Sequence, residues 1–185
     1  MNRFARGFCA LCVVVILTTG CGEDKHPAPK TQAKTVPESI SSPEKEKALA
    51  ALKQRGVSLD GAGFTSAAAT GSFELIDLYL ATGMDVNTKD SHKRTPLHVA
   101  AQGKNVPLVE LLISKGADVN TSDENGSTPL MDAAWQGDMP MVKLLVAKGA
   151  QVNAKNVSGY TPLKAAHEQK HGDVSDFLAS KGAAE

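Results

Sequence analysis

The chain has 185 residues, enough for one domain and a tail but too few for two sizeable cores. Twenty Lys and Arg balance twenty Asp and Glu, which argues against a nucleic-acid binder with its usual basic excess on one face. All three cysteines, Cys9, Cys12 and Cys21, fall in the first 21 positions, so the body has no disulfide framework, cysteine nucleophile or thiolate zinc site.

Arg3 and Arg6 give the N-terminus a short positive start, and Phe8 to Leu17 is an apolar run. A basic start, a short apolar run and small residues before a cut site read as a secretory signal. The run is far short of the 18 or so apolar residues that a spanning helix needs. Cys9-Ala10-Leu11-Cys12 has redox-motif spacing but lies inside this run and is discarded with it. Leu17-Thr18-Thr19-Gly20-Cys21 resembles the lipobox of bacterial lipoproteins, with Thr18 where that family prefers Leu. The resemblance implies cleavage after Gly20, acylation of Cys21, and a protein held on the cell envelope by lipid. Gly22 stands where an aspartate would resemble an inner-membrane retention signal, so the periplasmic face of the outer membrane is expected.

Residues 21–42 follow as a tether. Pro27, Pro29 and Pro37, scattered Lys and Glu, and almost no large apolar side chain make a segment that cannot bury a core. Lys25, Lys30 and Lys34 are diluted by Glu23, Asp24 and Glu38, which weakens a basic-arm reading. Ser42-Pro43 then opens an expected capping helix over 43–54, with Ala48, Leu49 and Leu52 as its apolar face and Gly56 as its stop.

The body is periodic. Thr95-Pro96-Leu97, Thr128-Pro129-Leu130 and Thr161-Pro162-Leu163 recur every 33 residues, as do Gly83, Gly116, Gly149 and Gly182. The pairs Val86-Asn87, Val119-Asn120 and Val152-Asn153 keep the same offset. A fixed period of this size means stacked supersecondary units. Thr before Pro is a helix N-cap followed by the residue best suited to a first helical position. Leu97, Ala100 and Ala101 give that helix a thin apolar face. A second helix follows, with Leu108, Val109 and Leu112 in one unit and Met141, Val142 and Leu145 in the next. Pro107 and Pro140 sit near its start, where a missing N–H is harmless, and the repeated glycines end it.

Asp123-Glu124-Asn125-Gly126-Ser127-Thr128-Pro129-Leu130 through Gly149-Ala150-Gln151-Val152-Asn153 resembles an ankyrin repeat. The resemblance implies an all-α solenoid of about four helix-turn-helix units with β-hairpin loops, over 57–89, 90–122, 123–155 and 156–185. The first unit is imperfect, with Ala62-Gly63-Phe64 in place of Thr-Pro-Leu. The last is atypical too, with Ser175 and Asp176 expected at core positions.

His167-Glu168-Gln169-Lys170-His171 matches the zinc-protease pattern His-Glu-x-x-His. The chemistry needs both imidazoles one turn apart on a single helix. In the 33-residue frame His167 aligns with Ala134 at the end of a first helix, and His171 with Asp138 in the turn before a second, so the match is read as accidental. His98 follows a Thr-Pro-Leu, where the resemblance implies a histidine hydrogen-bonded to backbone around the hairpins. It has no Ser or Cys partner from which to build a nucleophilic triad. Asp132 stands where the neighbouring units carry Val99 and Ala165, and a local hydrogen bond is expected there.

The positions that ankyrin repeats leave variable are the hairpin tips and the exposed edge of the first helix. Here they include His92, Arg94, Gln102, Glu124, Asn125, Trp135, Gln136, Tyr160 and Glu168. Trp135 is the only tryptophan, and such residues are enriched where a few side chains carry most of the binding energy. Tyr79, in the second helix of the first unit, is expected to pack. The expected function is a non-catalytic, monomeric module that binds another protein through its concave face, with no cofactor, nucleic acid or small-molecule substrate. The alternatives are an inhibitor or immunity-type protein neutralising a toxin or envelope hydrolase, and a zinc-dependent hydrolase built on His167 and His171.

Overall fold

Most helix starts in the repeats are places where a side chain closes an open turn, the last helix with its His171 N-cap being the exception. The computed structural model describes residues 42–184, so the signal segment, Cys21 and nearly all of the tether lie outside the described residues. The helices are α1 (Ser42–Gln54), α2 (Gly61–Ala69), α3 (Phe73–Ala81), α4 (Pro96–Gln102), α5 (Val106–Ser114), α6 (Pro129–Trp135), α7 (Met139–Ala147), α8 (Pro162–Glu168) and α9 (Gly172–Ser180). Thr128 Oγ1 accepts the Met131 N–H at the start of α6, and Thr161 Oγ1 accepts the Lys164 N–H at the start of α8. The second helices begin likewise, Asn105 capping Leu108 at 3.1 Å and Asp138 capping Met141 at 3.2 Å. They end on Gly83, Gly116, Gly149 and Gly182, whose φ values of 83–97° suit a residue without Cβ. No described helix is long and apolar enough to cross a membrane.

Stacking buries one apolar stripe per helix into a continuous core. Leu97 and Leu112, Leu130 and Leu145, and Leu163 and Leu178 repeat as inward-facing pairs. The first unit fills the same two positions with Phe64 and Tyr79, both fully buried, their rings 5.1 Å apart. Tyr79 is therefore packing, and its hydroxyl donates to the Ser58 carbonyl at 2.5 Å. Gly63 makes room for that bond, since a Cβ there would meet Ser58 O at 2.0 Å and Tyr79 Oη at 2.4 Å. Without Thr-Pro, this unit starts its helix earlier, with Asp60 Oδ1 accepting the Gly63 N–H. The first helices carry Ala67-Ala68, Ala100-Ala101, Ala133-Ala134 and Ala165-Ala166 and approach each other more closely than the Leu-rich second helices. Small side chains on one row and large ones on the other bend a stack toward the alanine side.

The repeated asparagine of each Val-Asn pair joins one unit to the next. Asn120 Oδ1 accepts the Gln151 N–H at 2.8 Å while its Nδ2 donates to Gly149 O at 3.2 Å. Asn87 and Asn153 make the same two bonds, to Asp118 and Gly116 and to Ala184 and Gly182. Each asparagine thus satisfies backbone groups in the loop of the following unit, which the helices themselves cannot reach.

The expected hairpins form as tight turns, and no strand is found among the described residues. Asp90, Asp123 and Asn156 each donate an N–H to the carbonyl four residues on, at 2.9–3.0 Å. Their Oδ1 atoms accept two further backbone N–H groups within the same turn. Adjacent tips are tied by Glu124 N–H to His92 O and Val157 N–H to Asn125 O. In the last unit, Ser175 is buried and its hydroxyl finds no partner, whereas Asp176 is exposed. The core assignment of Asp176 is corrected: it falls in register with exposed Lys143, one position off the buried stripe.

Candidate protein-binding face

Two grooves open along the row of first helices, where the turn tips overhang α2, α4, α6 and α8. The larger, about 580 Å³, lies between the first and second units and includes His92, Arg94 and Gln102 in its walls. The smaller, about 350 Å³, lies between the third and fourth and is walled by Met131, Asp132, Trp135 and Tyr160. The structure therefore brings five of the nine candidate positions to two concavities. Glu124, Asn125, Gln136 and Glu168 stand outside the lining, although Glu124 and Glu168 hold residues that belong to it.

The polar side chains on this face are mostly tied to each other. Arg94 donates from Nε and Nη2 to Asp90 Oδ2 at 3.0 and 2.9 Å. Burial pushes the Asp90 carboxyl up, but the Arg94 and His92 N–H groups and the guanidinium outweigh it and hold the carboxyl below its ordinary range. His92 Nδ1 meets Glu124 Oε1 at 3.0 Å, joining adjacent tips. Tyr160 donates its hydroxyl to Glu168 at 2.7 Å, which raises the phenol's pKa. Lys164 Nζ lies 4.5 Å from the centre of the Tyr160 ring.

His98 is fully buried beneath this face. Its Nδ1 accepts the Thr95 N–H at 3.3 Å, which places the proton on Nε2, 3.2 Å from Ser127 O in the next turn. Burial lowers the imidazole pKa, so the ring stays neutral and splints two consecutive tips. The expected backbone role is thus observed.

Asp132 makes the expected local bond, accepting from Gln102 Nε2 at 3.0 Å across the α4–α6 seam. It also forms part of the smaller groove's wall. Burial, with help from Asp123, pushes its carboxyl up to about 6, against the lowering influence of Gln102 and Arg94. Trp135 ends α6 with 47% of its surface exposed, and Val157, at the fourth tip, is 76% exposed. Val157 went unread in the sequence, because an apolar residue in a turn carries no periodic signal.

The His-Glu-x-x-His segment is split between two elements. His167 lies in the last turn of α8, and His171 is the N-cap of α9. His171 Nε2 is 3.1 Å from Trp135 O, its ring packed over Gly137, where a Cβ would come within 2.5 Å. Two imidazoles so placed do not share the helix face that the zinc-protease chemistry requires. Among the described residues, no three His, Cys, Asp or Glu side chains converge as a metal site would.

The family model for ankyrin repeats matches residues 64–156 in three copies. No curated protein matches the sequence. The match begins at Phe64 and ends at Asn156, so the capping helix and the fourth helical pair lie outside it. With nine helices among the described residues, a 33-residue beat and this match, the chain belongs to the ankyrin-repeat family, whose stacks are typically non-catalytic and generally serve as protein–protein interaction modules.

Proposed function

We propose that this protein is a lipid-anchored interaction module of the bacterial envelope, acting as a monomer and seating a protein partner on the concave row of first helices. The exposure of Trp135 carries the reading: a half-exposed indole stands beside a groove whose neighbouring tips are fixed by backbone and asparagine bonds. A surface already held in place loses little ordering entropy when a partner docks, so its few aromatic contacts translate into affinity. The lipobox-like segment ending at Cys21 supports the anchor, since acyl chains contribute about 0.8 kcal/mol per buried methylene. Crosslinked capture from envelope extract, using the full chain, tests the surface. Trp135→Ala combined with Tyr160→Ala should abolish capture while leaving the thermal midpoint nearly unchanged, and undiminished capture would remove the concave face from consideration. Cys21→Ser should release the protein from the membrane fraction.

A further inference from the structure

Four large hydrophobic side chains remain exposed among the described residues, and one of them, Trp135, lines the smaller groove. Val157, 76% exposed, lies in sequence between the lining residues Asn156 and Ser158. Leu59 and Phe73, the other two, belong to the first unit. Asp132 lines the same groove as Trp135. Gln102 Nε2 holds its Oδ2 at 3.0 Å, and the half-buried carboxylate places a negative charge in the groove wall.

We propose that this groove takes an arginine or lysine side chain from an extended segment of the protein partner, with the cationic head on Asp132, the stem along Trp135, and an adjoining apolar residue against Val157. The inference rests on the reading of the concave face as a protein-binding surface and adds the chemistry of the occupant. A cationic N–H group adds a charge-assisted bond to this carboxylate. The indole face attracts the same cation, most strongly when water is displaced. Charges already present do not fill the role. Arg94 is held by Asp90 through two hydrogen bonds, and Lys164 lies against the Tyr160 ring, leaving Trp135 as the aromatic surface for an incoming group. An acidic side chain would meet Asp132 with like charge and, close behind it, Glu168 on the Tyr160 hydroxyl.

Trp135 is the only tryptophan, so its fluorescence reports directly on the groove. The full chain is titrated with N-acetyl-arginine amide, its uncharged isostere N-acetyl-citrulline amide, and N-acetyl-glutamate amide. Saturable millimolar binding of the arginine probe is expected, with citrulline about tenfold weaker or worse and no response to glutamate. Asp132→Asn keeps an acceptor for Gln102 and should erase the preference for arginine over citrulline without lowering the thermal midpoint. Equal responses to arginine and citrulline, a stronger response to glutamate, no response to arginine, or unchanged arginine binding by Asp132→Asn would each overturn the proposal. Partner capture separates the two readings. If Asp132→Asn retains the partner while the Trp135/Tyr160 double variant loses it, the cation pocket fails and the concave surface stands.

Discussion

The second and third units share one backbone plan and use their variable positions in opposite ways. In the second, Arg94 is folded back on Asp90, His98 is buried as a splint to the next tip, and Gln102 reaches across to Asp132. The corresponding residues 33 positions on are Ser127, Met131 and Trp135. Met131 is buried without any polar role, and Trp135 is left half exposed beside a carboxylate. The second unit thus turns its polar side chains inward to stiffen the stack, and the third turns its chemistry outward. A repeat that is internally satisfied can brace one that is not, and this division lets a single face be both rigid and adhesive.

The sharpest way to break that comparison is to remove the splint. His98→Ala should cost about 3 kcal/mol, from the cavity and the loss of bonds at both ring nitrogens, read as a lower urea midpoint. In wild type, the folded imidazole has the lower pKa, so the unfolded chain takes up the proton first as pH falls below about 6.5. Stability should therefore decline through that window, and the variant should lose that portion of the decline. Gly137→Ala comes next, at about 2 kcal/mol, because Gly137 has φ +66° and His171 lies where the methyl would go. Gly149→Ala, with φ +90° and open space at its Cβ, should cost less in the same urea titration, isolating the His171 contact. Asn120→Ala should cost about 1 kcal/mol and increase hydrogen exchange at the Gln151 amide.

One further effect, of similar size, has the opposite sign. Because the Asp132 carboxyl titrates near 6 in the fold and near 3.8 when unfolded, its ionisation opposes folding as pH rises between those values. Asp132→Asn should accordingly stabilise the protein by about 1 kcal/mol at pH 7, after discounting for partial exposure, and by almost nothing at pH 3. A destabilised Asn variant at neutral pH would place Asp132 with the bracing residues of the second unit rather than the outward chemistry of the third.

Periodicity made most of the fold readable in advance. The Thr-Pro-Leu beat, the second-helix leucines and the repeated glycines each express a local rule, a cap, an apolar stripe or a left-handed residue, that needs no distant partner. The asparagines were visible as a repeat but silent as to purpose, since their bonds reach about thirty residues ahead into another unit. Asp176 was misplaced because its polarity drew attention while its register, one step from the stripe, decided its exposure. Trp135 was legible as a candidate from its position, but the groove beside it was not.

What the sequence determined alone is the kind of object this is: short helices, their ends, their period, and the variable positions along one edge. Those properties follow from interactions spanning three or four residues, repeated until they form a pattern. Only the tertiary structure decided which of those positions became braces and which became a surface. Arg94 and Trp135 are both variable-position residues, yet one is locked to Asp90 and the other is left half exposed in a groove with Asp132. The difference arises from neighbours brought together across stacked units, where burial and hydrogen-bond supply are set by the next repeat and not by the residue itself.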